Sequence, residues 1–168
     1  PYGLQKLSCE MFMKLFSDLY GVPSTALRFF NAYGPGAADG SAYMTAITAW
    51  CHCLSTGAPL RFDGDGEQTR DMVYVGDLAE AMFRISGVDR KTFSAFNVGT
   101  GVSVSNNEII TKLRAFFPQL ELSRAPERPG DVKHTLAAVD KISEEIGWVP
   151  QTDLDTGLYK TLQWWNLA

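Results

Sequence analysis

Thr25-Ala26-Leu27-Arg28-Phe29-Phe30-Asn31-Ala32-Tyr33-Gly34-Pro35-Gly36 is a short β-forming run that breaks into turn residues. Reading outward, residues 3–20 form a predicted helix stopped by Gly21-Val22-Pro23. Its apolar residues fall into two stripes. Leu4, Leu7, Met11, Leu15 and Leu19 make one, and Cys9, Phe12, Met13, Phe16 and Tyr20 the other. A surface helix needs one stripe. Two predict burial on both sides, against a sheet and against a partner chain.

Downstream the same alternation continues. Helix is expected over 41–55, strand at Leu60-Arg61-Phe62 before a Gly-Asp-Gly turn, and extended chain over Met72–Val75. A helix over Asp77–Ile85 and a strand over Phe93–Val98 follow. Ser105 with Glu108 forms a capping box for a helix to about residue 117. Leu120–Ser123 is extended, 139–146 is a helix stopped by Gly147, and Asp153 or Asp155 starts the last helix. Strands alternating with helices make the class α/β. Residues 1–168 are expected to form one unit, with neither internal repeats nor a linker long enough to divide it.

Composition excludes several roles. The chain has 168 residues, 45% hydrophobic, enough for a real core. A net charge of −4 without a Lys/Arg cluster argues against nucleic-acid binding. No stretch approaches the roughly 18 apolar residues of a membrane span. The three cysteines (Cys9, Cys51 and Cys53) suit a reducing, cytoplasmic setting better than a disulfide framework. Cys51-His52-Cys53 reads as ordinary helix residues, because i and i+2 point apart and no second Cys/His group follows.

Tyr2 and Lys6 stand one helical turn apart on one face. A nearby ammonium lowers a tyrosine pKa from its unperturbed ~10, fitting it to act as a general base. The pair alone reads better as a solvated helix start. It is followed in order by Leu27–Gly36, Gly64-Asp65-Gly66-Glu67-Gln68-Thr69-Arg70-Asp71-Met72-Val73-Tyr74-Val75-Gly76-Asp77, Phe96–Gly101, Arg128-Pro129-Gly130-Asp131-Val132 and Ile146-Gly147-Trp148-Val149-Pro150.

In that order and spacing, over nearly its whole length, the chain resembles the extended short-chain dehydrogenases/reductases, the NAD-dependent sugar-nucleotide epimerases and dehydratases. The resemblance implies the C-terminal half of such an enzyme. Residues 1–36 would be the tail of the Rossmann-type core, and 37–168 mainly the substrate-binding α/β lobe. Tyr2 matches the catalytic base and Lys6 the lysine that holds the nicotinamide ribose. Phe30 sits where the family packs the nicotinamide side of the cofactor. Asn31 matches an amide reaching the substrate diphosphate, and Arg70 and Arg128 the two arginines that clamp it. Planar guanidinium forks suit phosphate oxygens. Asp131 matches a carboxylate near the nucleotide ribose, and Leu60 and Phe62 lie on the strand bordering the base.

Plainer readings stand beside these. Arg70-Asp71 reads also as a local surface ion pair, Asn31 as a turn residue bonding its own backbone, and Phe30, Leu60 and Phe62 as core. Asn97 and Gly99 read as a strand end and a tight turn. Gly76 departs from the family's usual acidic residue, leaving Asp77 to cap the next helix. The Gly-x-x-Gly-x-x-Gly dinucleotide fingerprint does not occur in these 168 residues, nor does the family's catalytic Ser or Thr upstream of the tyrosine.

The implied function is that of a fragment of an NAD-dependent nucleotide-sugar 4-epimerase acting on a UDP-hexose or uronate, inactive alone and not binding NAD alone. Arg128–Val132 followed by Lys133-His134-Thr135 favours the 4-epimerases over a 4,6-dehydratase or reductase. A non-catalytic sugar-nucleotide-binding or oligomerisation module is the alternative from another class. The expected partners are a UDP-sugar and a second copy of the chain, as a homodimer or rearranged oligomer through helix 3–20.

Overall fold

Helix α1 runs from Tyr2 to Tyr20, and β1 follows at Thr25–Phe29. The computed structural model describes residues 2–37 and 44–168. The turn expected from Asn31 onward is instead a further strand, β2 (Asn31–Tyr33). The reason is tertiary. Residues 25–33 form one extended run that changes partner at a single residue, Phe30. β1 lies parallel to β5 (Ser94–Val98), with Thr25 opposite Ser94 and Phe29 opposite Val98. The Phe30 N–H still donates to the Val98 carbonyl at 3.0 Å. One residue later Asn31 stands opposite Met72, and β2 runs parallel to β4 (Thr69–Tyr74).

β4 also pairs antiparallel with β6 (Ser103–Ser105), a three-residue strand that local pattern did not predict. A separate parallel pair joins β3 (Leu60–Asp63) to β7 (Leu122–Ala125), two residues later than the extended segment expected from Leu120. Helix α2 (Ala46–Thr56) starts later than the expected 41, because Thr45 is its cap; residues 41–43 lie outside the described residues. Helices α3 (Val75–Ser86), α4 (Asn106–Phe116), α5 (Asp140–Ile146) and α6 (Leu154–Trp164) complete the described elements. Gly147 ends α5, and Asp153 caps α6 by accepting from the Thr156 N–H at 2.7 Å.

Successive side chains of a strand point to opposite faces, and β4 uses this to feed two cores. Met72 joins Tyr33, Ile47, Trp50, Phe62, Leu113 and Leu162. Val73 joins Phe96, Val98, Ile142 and Trp148 on the other side. Helix α1 joins neither. The two-sided burial expected from its stripes is not made within this chain. Apart from the half-buried Met13, its large apolar residues are 46% to 70% exposed, and only Ser17 is buried. Asp77 does not cap α3, as its place before that helix suggested. The helix begins at Val75, and the Asp77 carboxylate sits inside its first turn, accepting from the Thr152 N–H at 3.0 Å and hydroxyl at 3.2 Å. Cys51 packs in the first core, where burial pushes its thiol up to about 12.

The capping box of α4 forms as read. The Glu108 N–H donates to the Ser105 hydroxyl, and the Ser105 N–H and hydroxyl both donate to the Glu108 carboxylate. The Ser105 N–H, then its hydroxyl, hold that carboxyl below the ordinary glutamate range. Removing the cap by Ser105→Ala is expected to cost about 1 kcal/mol in denaturant unfolding. A depressed native pKa contributes stability above the ordinary glutamate range and loses it as pH falls through the native value. Wild type should therefore outlast Glu108→Gln in thermal melts at neutral pH. The difference should close on acidification below that range.

Candidate functional site

Arg128-Pro129-Gly130-Asp131 is a turn closed by the Asp131 N–H donating to the Arg128 carbonyl at 3.1 Å. Proline presets the second position, and Gly130 takes φ 79°, which a side chain would strain. The turn brings Arg128 and Asp131 together. The chain then runs beside β4. The Thr69 N–H donates to the Lys133 carbonyl at 2.9 Å, the Thr135 N–H to the Thr69 carbonyl at 3.1 Å, and Thr69 Oγ1 lies 3.0 Å from His134 Nδ1. Arg70, on β4, donates to Asp131 at 2.9 Å and to the carbonyls of Thr69 and Lys133.

Asp71 shows why this segment is held. Its side chain is 0% exposed. Oδ1 accepts from the Thr100 N–H at 2.7 Å and hydroxyl at 2.8 Å, and Oδ2 from the N–H groups of Gly101 at 2.9 Å and Ala137 at 3.1 Å. The reading of Arg70-Asp71 as a surface ion pair is thereby overturned: Asp71 is interior, and the partner of Arg70 is Asp131. A Cβ at Gly99 would meet Asp71 Oδ2 at 2.8 Å and the Ala137 Cβ at 2.6 Å, so only glycine lets the strand end approach this carboxylate.

Two adjoining cavities open at this point. One, of about 270 Å³, is lined by Asn31, Trp50, Arg61, Asp63, Arg70, Asn106, Arg128 and Asp131, among others. The other, of about 200 Å³, is lined by Asp65, Glu67, Glu127, Val132, Lys133 and His134. Asp63, Gln68, Arg128 and Asp131 line both. Asn31 reaches the first because it follows the residue where the extended run changes partner.

Of the sequence-derived candidates, Asn31, Arg70, Arg128 and Asp131 are therefore brought together. Leu60 and Phe62 are not: both are packed in the core, and Phe62 stacks on Trp50. The alternate residues of β3, Arg61 and Asp63, line the cavity instead. The period-2 pattern of Leu60-Arg61-Phe62-Asp63 carried that signal. Phe30 is half-buried and lines neither cavity. Tyr2 and Lys6 stand on exposed turns of α1, with Lys6 Nζ 5.5 Å from the centre of the Tyr2 ring, and they too line neither.

The electrostatics favour an anion. Arg61, Arg70 and Arg128 face two carboxylates, and the starts of α2 and α4 (Ala46 and Asn106) add their partial positive charge. Asp63 accepts from Arg128 at 2.6 Å and from Arg61 at 2.8 Å. Burial pushes its carboxyl up, but these hydrogen bonds outweigh it and hold the carboxyl below the usual range. The Arg128 side chain is 62% exposed, so its ion pair contributes at most about 1 kcal/mol to the fold. Charge-assisted hydrogen bonds to phosphate oxygens contribute about 1.5–3 kcal/mol each.

Parallel strand pairs with flanking helices and an arginine-lined cavity define an α/β protein with a site suited to an anionic ligand. Residues 1–161 match the GDP-mannose 4,6 dehydratase family, and the chain belongs to it, within the extended short-chain dehydrogenases/reductases that include UDP-sugar 4-epimerases and dehydratases. A putative UDP-glucose 4-epimerase of Methanocaldococcus jannaschii is 35% identical over 98% of this chain and 52% of its own length. The structure of UDP-glucose 4-epimerase with UDP-glucose from Thermotoga maritima is 30% identical, with a TM-score of 0.91 over 99% of this chain and 53% of that one. That of the UDP-glucuronic acid 4-epimerase of Bacillus cereus, in complex with UDP-glucuronic acid and NAD, is 26% identical, with a TM-score of 0.89 over 99% of this chain and 52% of that one. The chain spans about half the length of the curated relatives it matches, and corresponds to their C-terminal half.

In Asp71→Asn, either amide orientation sets an NH2 group against two donors. The variant is expected to lose about 2–4 kcal/mol in denaturant unfolding.

Proposed function

We propose that this chain supplies the substrate-binding half of an NAD-dependent nucleotide-sugar 4-epimerase acting on a UDP-hexose or uronate. The observation that carries the reading is the meeting of Asn31, Arg70, Arg128 and Asp131 on one cavity, from three separate stretches of sequence. Arg70 and Arg128 clamp the diphosphate, Asn31 donates to it, and Asp131 accepts from the ribose. In the whole enzyme NAD, when bound, supplies the hydride acceptor for the sugar C4. Phe30 would pack beside its nicotinamide. As the phenolate, the Tyr2 oxygen would take the C4 hydroxyl proton, and Lys6, one turn away, would hold the nicotinamide ribose. The dinucleotide fingerprint is not among these residues, so this chain by itself binds no NAD and does not turn over.

Calorimetric titration tests this. UDP should bind and NAD should not, and Arg70→Ala with Arg128→Ala should abolish UDP binding while circular dichroism is unchanged. UDP affinity that survives the double substitution, or 4-epimerisation by this chain with added NAD, would contradict the assignment.

The exposed faces of α1 favour association as well. Apolar surface of this extent on one helix finds a partner, and that partner is a second copy of the chain, as a homodimer or rearranged oligomer. Light scattering should report at least two chains per particle, and a monomer at all concentrations would overturn this.

A further inference from the structure

The two cavities are divided by ion pairs. Asp63 and Arg128, bonded at 2.6 Å, line both cavities, as do Asp131 and Gln68. Asp63 is the more fixed member of its pair. Its side chain is 15% exposed and its other oxygen is held by Arg61 at 2.8 Å, whereas Arg128 stands mostly in solvent on its turn. The planar guanidinium that would meet a phosphate is thus already engaged by a carboxylate, which has the same charge sign and the same acceptor geometry.

We propose that Asp63 is an internal stand-in for the ligand's diphosphate. It holds Arg128 across the boundary between the cavities, and the incoming diphosphate displaces it. Displacement releases Arg128 and joins the cavities into one groove, with the diphosphate at their former boundary and the rest of the nucleotide sugar divided between them. Asp63 is then a specificity-determining residue. Its negative charge sets a threshold that a dianionic diphosphate overcomes and a weaker anion does not, and it keeps the empty site from gathering stray phosphate. Arg70 serves as the internal comparison: its carboxylate partner, Asp131, lies on the same turn as Arg128, whereas Asp63 lies on β3, paired along its length with β7.

This inference rests on the proposed diphosphate site. Its test is calorimetric titration of the chain and of Asp63→Asn with UDP, uridine and inorganic phosphate at low ionic strength. Asp63→Asn should bind UDP about five-fold more tightly, the scale of one competing exposed ion pair. It should bind inorganic phosphate more tightly too, and uridine unchanged. Asp63→Glu should stay near wild type, and Asp63→Ala should move with Asp63→Asn, which guards against one variant failing to fold. In an Arg128→Ala background the effect should vanish. UDP binding that weakens or stays the same in Asp63→Asn, or a gain that persists without Arg128, overturns the stand-in role and leaves the diphosphate site in place. No UDP binding by wild type or variant overturns both.

Discussion

The buried carboxylate of Asp71 organises this half of the molecule. Its two oxygens take four hydrogen bonds from three residues that are distant from it in sequence: Thr100, Gly101 and Ala137. A buried carboxylate is tolerated only when its lone pairs are filled. Filling them ties the end of β5 and the segment after Asp131 to the middle of β4. Because strand neighbours point to opposite faces, anchoring Asp71 on one face turns Arg70 to the other, against Asp131. One residue holds the frame and the next is presented to the ligand.

The division of labour along β4 extends to the cores. Met72 and Val73 enter different clusters, so the strand is the shared wall between two packed regions. The cavity opens where the run 25–33 leaves β5 for β4, and Asn31 stands just past that change. The site is therefore a by-product of topology: two parallel pairings that cannot both continue leave a gap at their parting. Guanidinium groups from β3, β4 and the 128–131 turn border that gap. Most of their charge is balanced internally, by Asp63 and Asp131, so the empty site costs the fold little.

Much of this was legible in the linear chain. The stops of α1 and α5, the Ser105–Glu108 capping box and the Asp153 cap are local events, decided by residues within four positions of one another, and they fall where the pattern placed them. The motif order also identified the family, and it picked out Asn31, Arg70, Arg128 and Asp131, which do converge.

Other features depended on partners that pattern cannot name. β2 and β6 are strands only because β4 lies beside them, three residues each being too few to signal an extended state unaided. Asp71 looked like half of a surface ion pair, since nothing local says that Thr100 and Ala137 will close over it. Leu60 and Phe62 were assigned to the site from their strand, but which face of β3 meets the core is set by Trp50 and Arg124, from other elements. Asp63 drew no notice until Arg128, 65 residues on, was found bonded to it. By itself, the sequence determined the helices, the longer strands, the caps of α4 and α6, and the family, because those rest on short-range geometry and residue chemistry. The pairing of strands, the facing of side chains and the internal balance of charge in the site were settled only by folding, because each joins residues that chain order keeps apart.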